Sequence, residues 1–518
     1  MSLPSYFKGS VGVSERPTIP KSVSERPTIP KSVSERPTIP SYFTPIREIQ
    51  SYNYREIQKY VSTENDKTEY IPNLSVGEKA LLCQRYFQSR MFGTSHVFVQ
   101  RLLESLQCRG NICVPLIHTW LNKVQIDNLV IIHHPEDAER ICQKHVKKAP
   151  VFTSFLHNSI ISTTDNEDWK RQRGEMNMAF IPKLSLQRVF PKSMERAKNC
   201  AKLLRDASQK RESVNMSEFF LNETQAQLQL SMVGFSAEIQ IETNQKIRQA
   251  FAGINVEYTQ EFSEKALAET QRSSGPLSKL FDLRDDPLQN LGNVLIFAFA
   301  GHDTTGHTLA WLLYELCRHP KYKRELLSEI DKYWRKHSEP TYDTFKELPF
   351  MTRCITETLR LWPALANGTY RELETDEQIR GIDGTPVTVP KGTYCQILNW
   401  TRHRSKDLWG DTANTFDPYR EFRDSEIWDH AGFGTTNVSS DRFSPFTYGP
   451  RNCIGKNFSQ MEMRLILLYL FRDYDFELSP EQPHEIQGLN TFTMGPKSHK
   501  DDEMMGVYVS VISRNSKL

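Results

Sequence analysis

The chain has 518 residues, with 65 Lys or Arg against 63 Asp or Glu and a formal net charge of +2. Charge this close to balance supplies no field for a nucleic acid, and a 38% hydrophobic share is enough for a large core. Nine cysteines without paired, metal-type spacing speak against a zinc module and for free thiols in a reducing, intracellular compartment.

In chain order, Val-Ser-Glu-Arg-Pro-Thr-Ile-Pro begins at Val13, Val23 and Val33. The prolines block helix and sheet continuation, so residues 1–45 are expected as a disordered, extended tail, 46–73 as a linker and 74–518 as one folded domain. Glu15, Glu25 and Glu35 recur with the repeat, unlike the acid-poor pattern of a transit peptide. The sequence holds no run of the ~18 apolar residues that cross a bilayer, so no transmembrane helix is expected, while peripheral membrane association stays open.

Helical spacing starts at His96–Gln107, and Pro115–Leu121 with Asn128–His133 read as paired strands before a helix start at Pro135-Glu136-Asp137. Lys192–Asp206 and Met216–Phe235 read as helices, as do Pro320–Lys336, Met351–Trp362 and Gly455–Phe471. Val387–Leu398 reads as one strand and Gly506–Ser513 as a closing strand. The sum is a mainly α fold with a small β-sheet subdomain.

Four segments carry chemistry. Phe446-Thr447-Tyr448-Gly449-Pro450-Arg451-Asn452-Cys453-Ile454-Gly455 sets one cysteine before an apolar helix, where turn amides and a helix N-terminus would depress the thiol pKa and hold the sulfur as a metal ligand. Upstream, Ala300-Gly301-His302-Asp303-Thr304 puts an acid and a hydroxyl inside a long apolar helix, where neither is cheap to bury. A threonine there also tends to bond back to the carbonyl one turn earlier. Glu357 and Arg360 sit three apart among apolar neighbours, and Trp169 and Arg173 four apart on one helical face.

The pattern Phe-x-x-Gly-x-Arg-x-Cys-x-Gly, with the acid/hydroxyl helix and Glu-x-x-Arg before it in that order, resembles the cytochrome P-450 superfamily of haem-thiolate monooxygenases. The resemblance implies the cytochrome P-450-like fold and haem b (iron protoporphyrin IX), with Cys453 as metal ligand. Phe446 would shield the sulfur, and Gly449 and Gly455 would let backbone approach the macrocycle. Ala300 and Gly301 would lie against the macrocycle and dioxygen, and Asp303 and Thr304 would be the catalytic proton-delivery pair. Trp169, Arg173, Arg371 and Arg451 would hold the propionates. Glu357 and Arg360 would form a buried structural network with Arg420, although Tyr419 stands where the family carries an acid. The stretch from Ala237 to Phe299 is shorter than usual in the family, implying a reduced roof over the substrate.

The implied activity inserts one atom of O2 into a C–H bond of a small hydrophobic or amphipathic molecule. Its electrons would come from a separate donor, an NADPH-dependent flavin reductase or a ferredoxin, docking on a basic patch of Arg451, Lys456 and Arg464. Polar residues in the segments expected to line the cavity (His157, Asn158, Asn367, Thr369, Tyr370, Asn490, Thr491) suggest an isoprenoid or fatty-acyl chain with a polar head. Such a chain would be oxidised in specialised metabolism, in successive steps from methyl to carboxylic acid. The alternatives are a haem-thiolate isomerase or dehydratase, which needs no electrons, and a haem-binding carrier or sensor without turnover.

Overall fold

The computed structural model describes residues 76–120, 123–234, 275–277, 286–428, 438–483, 485–490, 493–497 and 506–514. The proline-rich repeats, the 46–73 linker and most of the segment assigned to the shortened roof lie outside them. Helices dominate the described residues: α1 Val76–Met91, α2 Ser95–Ser105, α3 Pro135–Lys144, α4 Asn166–Asn177, α5 Gln187–Leu203, α6 Met216–Leu228, α7 Pro287–Arg318, α8 Pro320–Lys336, α9 Pro349–Leu361 and α10 Lys456–Asp473.

Helix α7 is the axis of the molecule, and its start is written locally. Asp286 accepts from the amides of Leu288 and Gln289 while Pro287 takes the first helical position, where its missing N–H costs nothing. Residues 289–298 of α7 are buried without interruption, so helices cover all of its faces rather than one. Helix α6 crosses it closely. A Cβ at Gly306 would stand 2.9 Å from the Leu221 Cα, and one at Gly301 would stand 2.5 Å from a Leu228 methyl. The main hydrophobic core gathers these helices with α5, α8, α9 and α10.

Strands Ile112–Trp120 (β1), Lys123–Ile132 (β2), Thr369–Glu372 (β4) and Tyr394–Ile397 (β7) form a sheet in the order β1-β2-β7-β4, with β2 parallel to β7 and the other neighbours antiparallel. Ser213–Asn215 (β3), Tyr474–Leu478 (β8) and Tyr508–Ser513 (β11) form a second sheet in the order β3-β11-β8. Glu377–Arg380 (β5) pairs with Pro386–Val389 (β6), and Gln487–Asn490 (β9) with Met494–Lys497 (β10).

Two sequence expectations need correction. The single strand over Val387–Leu398 is two strands in different sheets, β6 and β7, because Pro390 lacks an N–H and Gly392 turns the chain at φ +86°. The helix expected over Met216–Phe235 keeps α geometry only to Leu228, widens to a π turn over Gln229–Val233 and stops at Gly234, φ +87°.

Candidate active site

The Cys453 loop is a pair of left-handed turns. Thr447 and Gly449 have φ of +57° and +60°, the Cys453 amide donates to the Phe446 carbonyl at 2.9 Å, and the Asn452 amide donates to the Gly449 carbonyl at 3.2 Å. Gly449 serves a purpose other than the expected one: a Cβ there would approach the Cys142 carbonyl to 3.0 Å and the Gln143 Cα to 3.2 Å, so it permits close packing on the end of α3. Gly455 has an ordinary φ of −83° and caps α10; its missing Cβ would lie 4.0 Å from the Cys453 sulfur, so glycine keeps space open beside it. Phe446 is half-buried and meets Trp428 edge-on, with ring centroids 5.3 Å apart.

The Cys453 side chain is exposed by accessible surface, yet burial pushes its thiol up. The sulfur is reachable at its surface while the protein packed around it disfavours the thiolate. The amides of Gly455 and Lys456 and the charges of Lys456 and Arg173 pull the other way, as the sequence led one to expect, but desolvation outweighs them. The expected net depression of the thiol is therefore reversed.

Helix α7 reaches this loop through aromatics. Phe297 stacks on Phe180 with centroids 5.9 Å apart and planes 13° from parallel, and the Phe180 edge is 4.0 Å from where a Gly455 Cβ would stand. Ala300 is partly buried against the core. Thr304 Oγ1 donates to the Ala300 carbonyl at 2.9 Å. Gly301 instead faces Leu228 of α6, so its small size serves helix packing and not the macrocycle. Asp303 is nearly buried and accepts from Thr493 Oγ1 at 2.5 Å.

Several cations converge beside the loop. Arg451 lies 4.5 Å over the Trp169 ring and donates to the carbonyls of Val146, Ile160 and Thr163, all uncharged. Burial and Arg371 together lower its pKa to about 9. Arg371 is fully buried, donates from Nη1 to Thr369 Oγ1 and the Tyr370 carbonyl, and finds no partner for Nε or Nη2 among the described residues. Lys148 donates to the same Thr369 hydroxyl at 2.5 Å, and burial, then Arg371 and Arg451, hold its pKa well down. Arg173 is the exception: both its Nη atoms bond Asn452, through the carbonyl and the side-chain oxygen, each at 2.7 Å.

The Glu357–Arg360–Arg420 network forms. Glu357 takes Arg360 in a bidentate fork at 2.7 and 2.8 Å and Arg420 Nε at 3.1 Å. Arg360 also donates to the carbonyls of His403 and Ala413, and Arg420 to those of Trp409, Thr412 and Thr415. Tyr419 is half exposed with its hydroxyl on Glu325, so the residue that departs from the family pattern lies outside the network.

Comparison with known proteins supports the family resemblance. The family model described as Cytochrome P450 matches residues 282–500, which hold α7, the Glu357 network and the Cys453 loop. The chain is 33% identical over 195 residues to cytochrome P450 3A12 of Canis lupus familiaris, covering 37% of this chain and 35% of that protein. It is 30% identical over 225 residues to thromboxane-A synthase of Mus musculus, covering 43% and 38%. Over residues 282–500 this chain is similar to the cytochrome P450 superfamily. It spans well under half the length of these curated relatives.

Cytochromes P450 bind haem b through a cysteine thiolate, and the residues present fit that group. Cys453 supplies the sulfur, Gly455 leaves room beside it, and the buried Arg371 presents two unsatisfied nitrogens in a cation cluster without an ion-paired carboxylate among the described residues. An acidic side group on the cofactor would satisfy them. Lys148, absent from the sequence reading, belongs with these residues, as does Phe180. Arg371→Met should stabilise haem-free protein against urea, raising the midpoint through an unfolding free energy larger by about 1 kcal/mol or more on the scale of buried-charge replacements. The same variant should release haem to a scavenger protein faster than wild type. A lower apoprotein midpoint with unchanged haem release would show that Arg371 serves the fold alone.

The expected reductase patch is not on the surface: Arg451, Lys456 and Arg464 are all buried, and Arg464 bonds Gln460 and Thr352. Of the polar residues read as cavity lining, Asn367, Thr369 and Tyr370 have side chains engaged by protein, Asn158 is held through its main-chain carbonyl, and the buried Asn490 Oδ1 finds no partner among the described residues. Thr369 bonds Lys148 and Arg371, the Tyr370 hydroxyl bonds Arg90, Asn367 accepts from Ser95, and the Asn158 carbonyl accepts from Gln172 and Gln289. Thr491 lies outside the described residues.

Proposed function

We propose that this chain is a haem-dependent monooxygenase that inserts one atom of dioxygen into a C–H bond of a hydrophobic or amphipathic small molecule. The observation that carries the reading is the adjacent Asp303–Thr304 pair on α7, the helix that meets the Cys453 loop through Phe297 and Phe180. Bound haem would supply dioxygen activation and the oxidising power for C–H cleavage, with the thiolate raising electron density at the metal.

The chain's own residues set the conditions for that chemistry. Cys453 holds the metal from one side. Phe446 and Phe180 keep water from the sulfur, and Arg371, Arg451 and Lys148 orient the cofactor through its acidic groups. Thr304 commits its own hydrogen to the Ala300 carbonyl, so its Oγ1 lone pairs are free to accept a hydrogen bond and steady a water beside the reacting oxygen. Asp303 Oδ2 holds and releases the proton that this water carries.

Asn367, Thr369 and Tyr370 bond within the protein, which leaves the apolar part of the substrate reading with Asn490 Oδ1 as an unpaired polar group. The inferred substrate is an isoprenoid or fatty-acyl chain, with the polar head and successive oxidation as its finer version. The nine cysteines are all free, which suits a reducing compartment, and no described helix is long and apolar enough to cross a membrane. A separate flavin or ferredoxin donor would supply electrons.

Thr304→Ala should fold and load haem as wild type does while releasing reducing equivalents as hydrogen peroxide. Product per NADPH is expected to fall by about tenfold or more, at the low end of what a positioned proton-transfer group contributes. Unchanged coupling would mean that protons enter elsewhere. A haem-thiolate isomerase is the second reading, favoured by one relative being named a synthase. It predicts product without any electron donor.

A further inference from the structure

Asp303 must be reprotonated after each delivery, and the neighbouring His302 cannot bring protons from solvent because it is fully buried with Nδ1 on the Ala298 carbonyl. One turn further along α7, His307 is still partly exposed, its side chain 16% accessible. Its Nδ1 lies 3.8 Å from Asp303, too far for a hydrogen bond, but Thr493 bridges the gap. Thr493 Oγ1 is 2.5 Å from Asp303 Oδ2 and 2.8 Å from His307 Nδ1. Trp311 Nε1 donates to the Met494 carbonyl at 2.7 Å, and a Cβ on Gly495 would stand 3.1 Å from His307 Nε2, so the start of β10 is clamped on α7 at this point.

We propose that His307, acting through Thr493, is the entry group that returns protons to Asp303. The inference rests on the monooxygenase reading, which gives Asp303 a proton to lose. A hydroxyl has one hydrogen; with it donated to the Asp303 carboxylate, Thr493 can only accept from His307, which fixes the Nδ1–H tautomer and gives the chain one direction. A solvent hydronium first protonates His307 Nε2, giving the imidazolium; its Nδ1–H bond then breaks as an O–H bond forms on Thr493. The original Thr493 O–H bond breaks as Asp303 Oδ2–H forms, leaving a neutral imidazole that exchanges protons with solvent to return to the Nδ1–H tautomer. Three groups from two distant segments are thereby joined into one path from surface to interior.

Two readouts test this. In the carbon-monoxide-bound ferrous protein labelled with 15N-histidine, the His307 signal, identified by its loss in His307→Gln, should report the Nδ1–H tautomer, and Thr493→Val should shift it toward Nε2–H. In turnover, Thr493→Val and His307→Gln should lower product per NADPH about tenfold and enlarge the solvent isotope effect, while Thr493→Ser should recover most of the loss. A wild-type Nε2–H tautomer would overturn the relay. So would coupling and isotope effects equal to wild type in both disabling variants. If wild-type protein instead makes no reductant-dependent product although its tautomer is as expected, the monooxygenase reading fails and takes the relay's purpose with it.

Discussion

Cys453→Ala is expected to abolish thiolate ligation completely. Among the described residues no cluster of three or more His, Cys, Asp or Glu could hold a metal in place of the sulfur. Cys142, whose backbone touches Gly449, has its own side chain buried in a separate hydrophobic cluster with Ile132, Ala138 and Tyr448. Cys453→His would offer a nitrogen and retain some haem, but an imidazole is not a thiolate and does not supply the same electron density. The measurement is the absorption spectrum of the reduced, carbon-monoxide-bound protein, whose Soret band sits at the long-wavelength position marking thiolate ligation in wild type and should leave it in both variants. An unchanged band in Cys453→Ala would remove the assignment of the ligand.

Glu357→Ala should fail as a fold before it fails as a catalyst. Glu357 compensates two buried guanidinium groups at once and also accepts from the Asp417 amide at 3.0 Å, so its loss strands Arg360 and Arg420 against uncharged carbonyls and the Thr412 hydroxyl. Removing one partner of a buried ion pair costs about 3–5 kcal/mol, a large part of the ~5–15 kcal/mol that holds an ordinary domain together. The expected result is little soluble, haem-loaded protein and a sharply lower urea midpoint. The network also ties α9 to the loops around Trp409 and Thr415, so the loss should spread to the segment leading toward Cys453. Soluble, fully loaded Glu357→Ala with a wild-type midpoint would mean that the network is dispensable to the fold.

Features that depend on a short run of residues were legible in the sequence. The Glu357–Arg360 fork follows from a three-residue helical spacing, and the Thr304 back-bond from the ordinary habit of a helix-interior threonine. The family itself was legible for the same reason: its fixed residues cluster in a ten-residue loop whose backbone has to turn in one way.

What misled was the surroundings of each residue. Gly301 and Gly449 look alike in a motif, yet one makes room for Leu228 and the other for the backbone at Cys142, and neither neighbour is local in the chain. Arg451, Lys456 and Arg464 read as a basic surface because charge normally faces water; here other elements cover them, and carbonyls and amide side chains replace the solvent.

The sequence by itself determined the mainly helical class and the Glu357–Arg360 spacing, and it pointed to Cys453 as the proposed metal ligand and to Asp303–Thr304 as the proposed proton pair, because each is carried by a short run of residues. Only the tertiary structure decided the sign of the Cys453 thiol shift, the crowding of Lys148, Arg371 and Arg451, and the pairing of Asp303 with Thr493 across 190 residues. Desolvation and long-range contact depend on what the rest of the chain brings alongside, and periodicity along one segment carries no record of that.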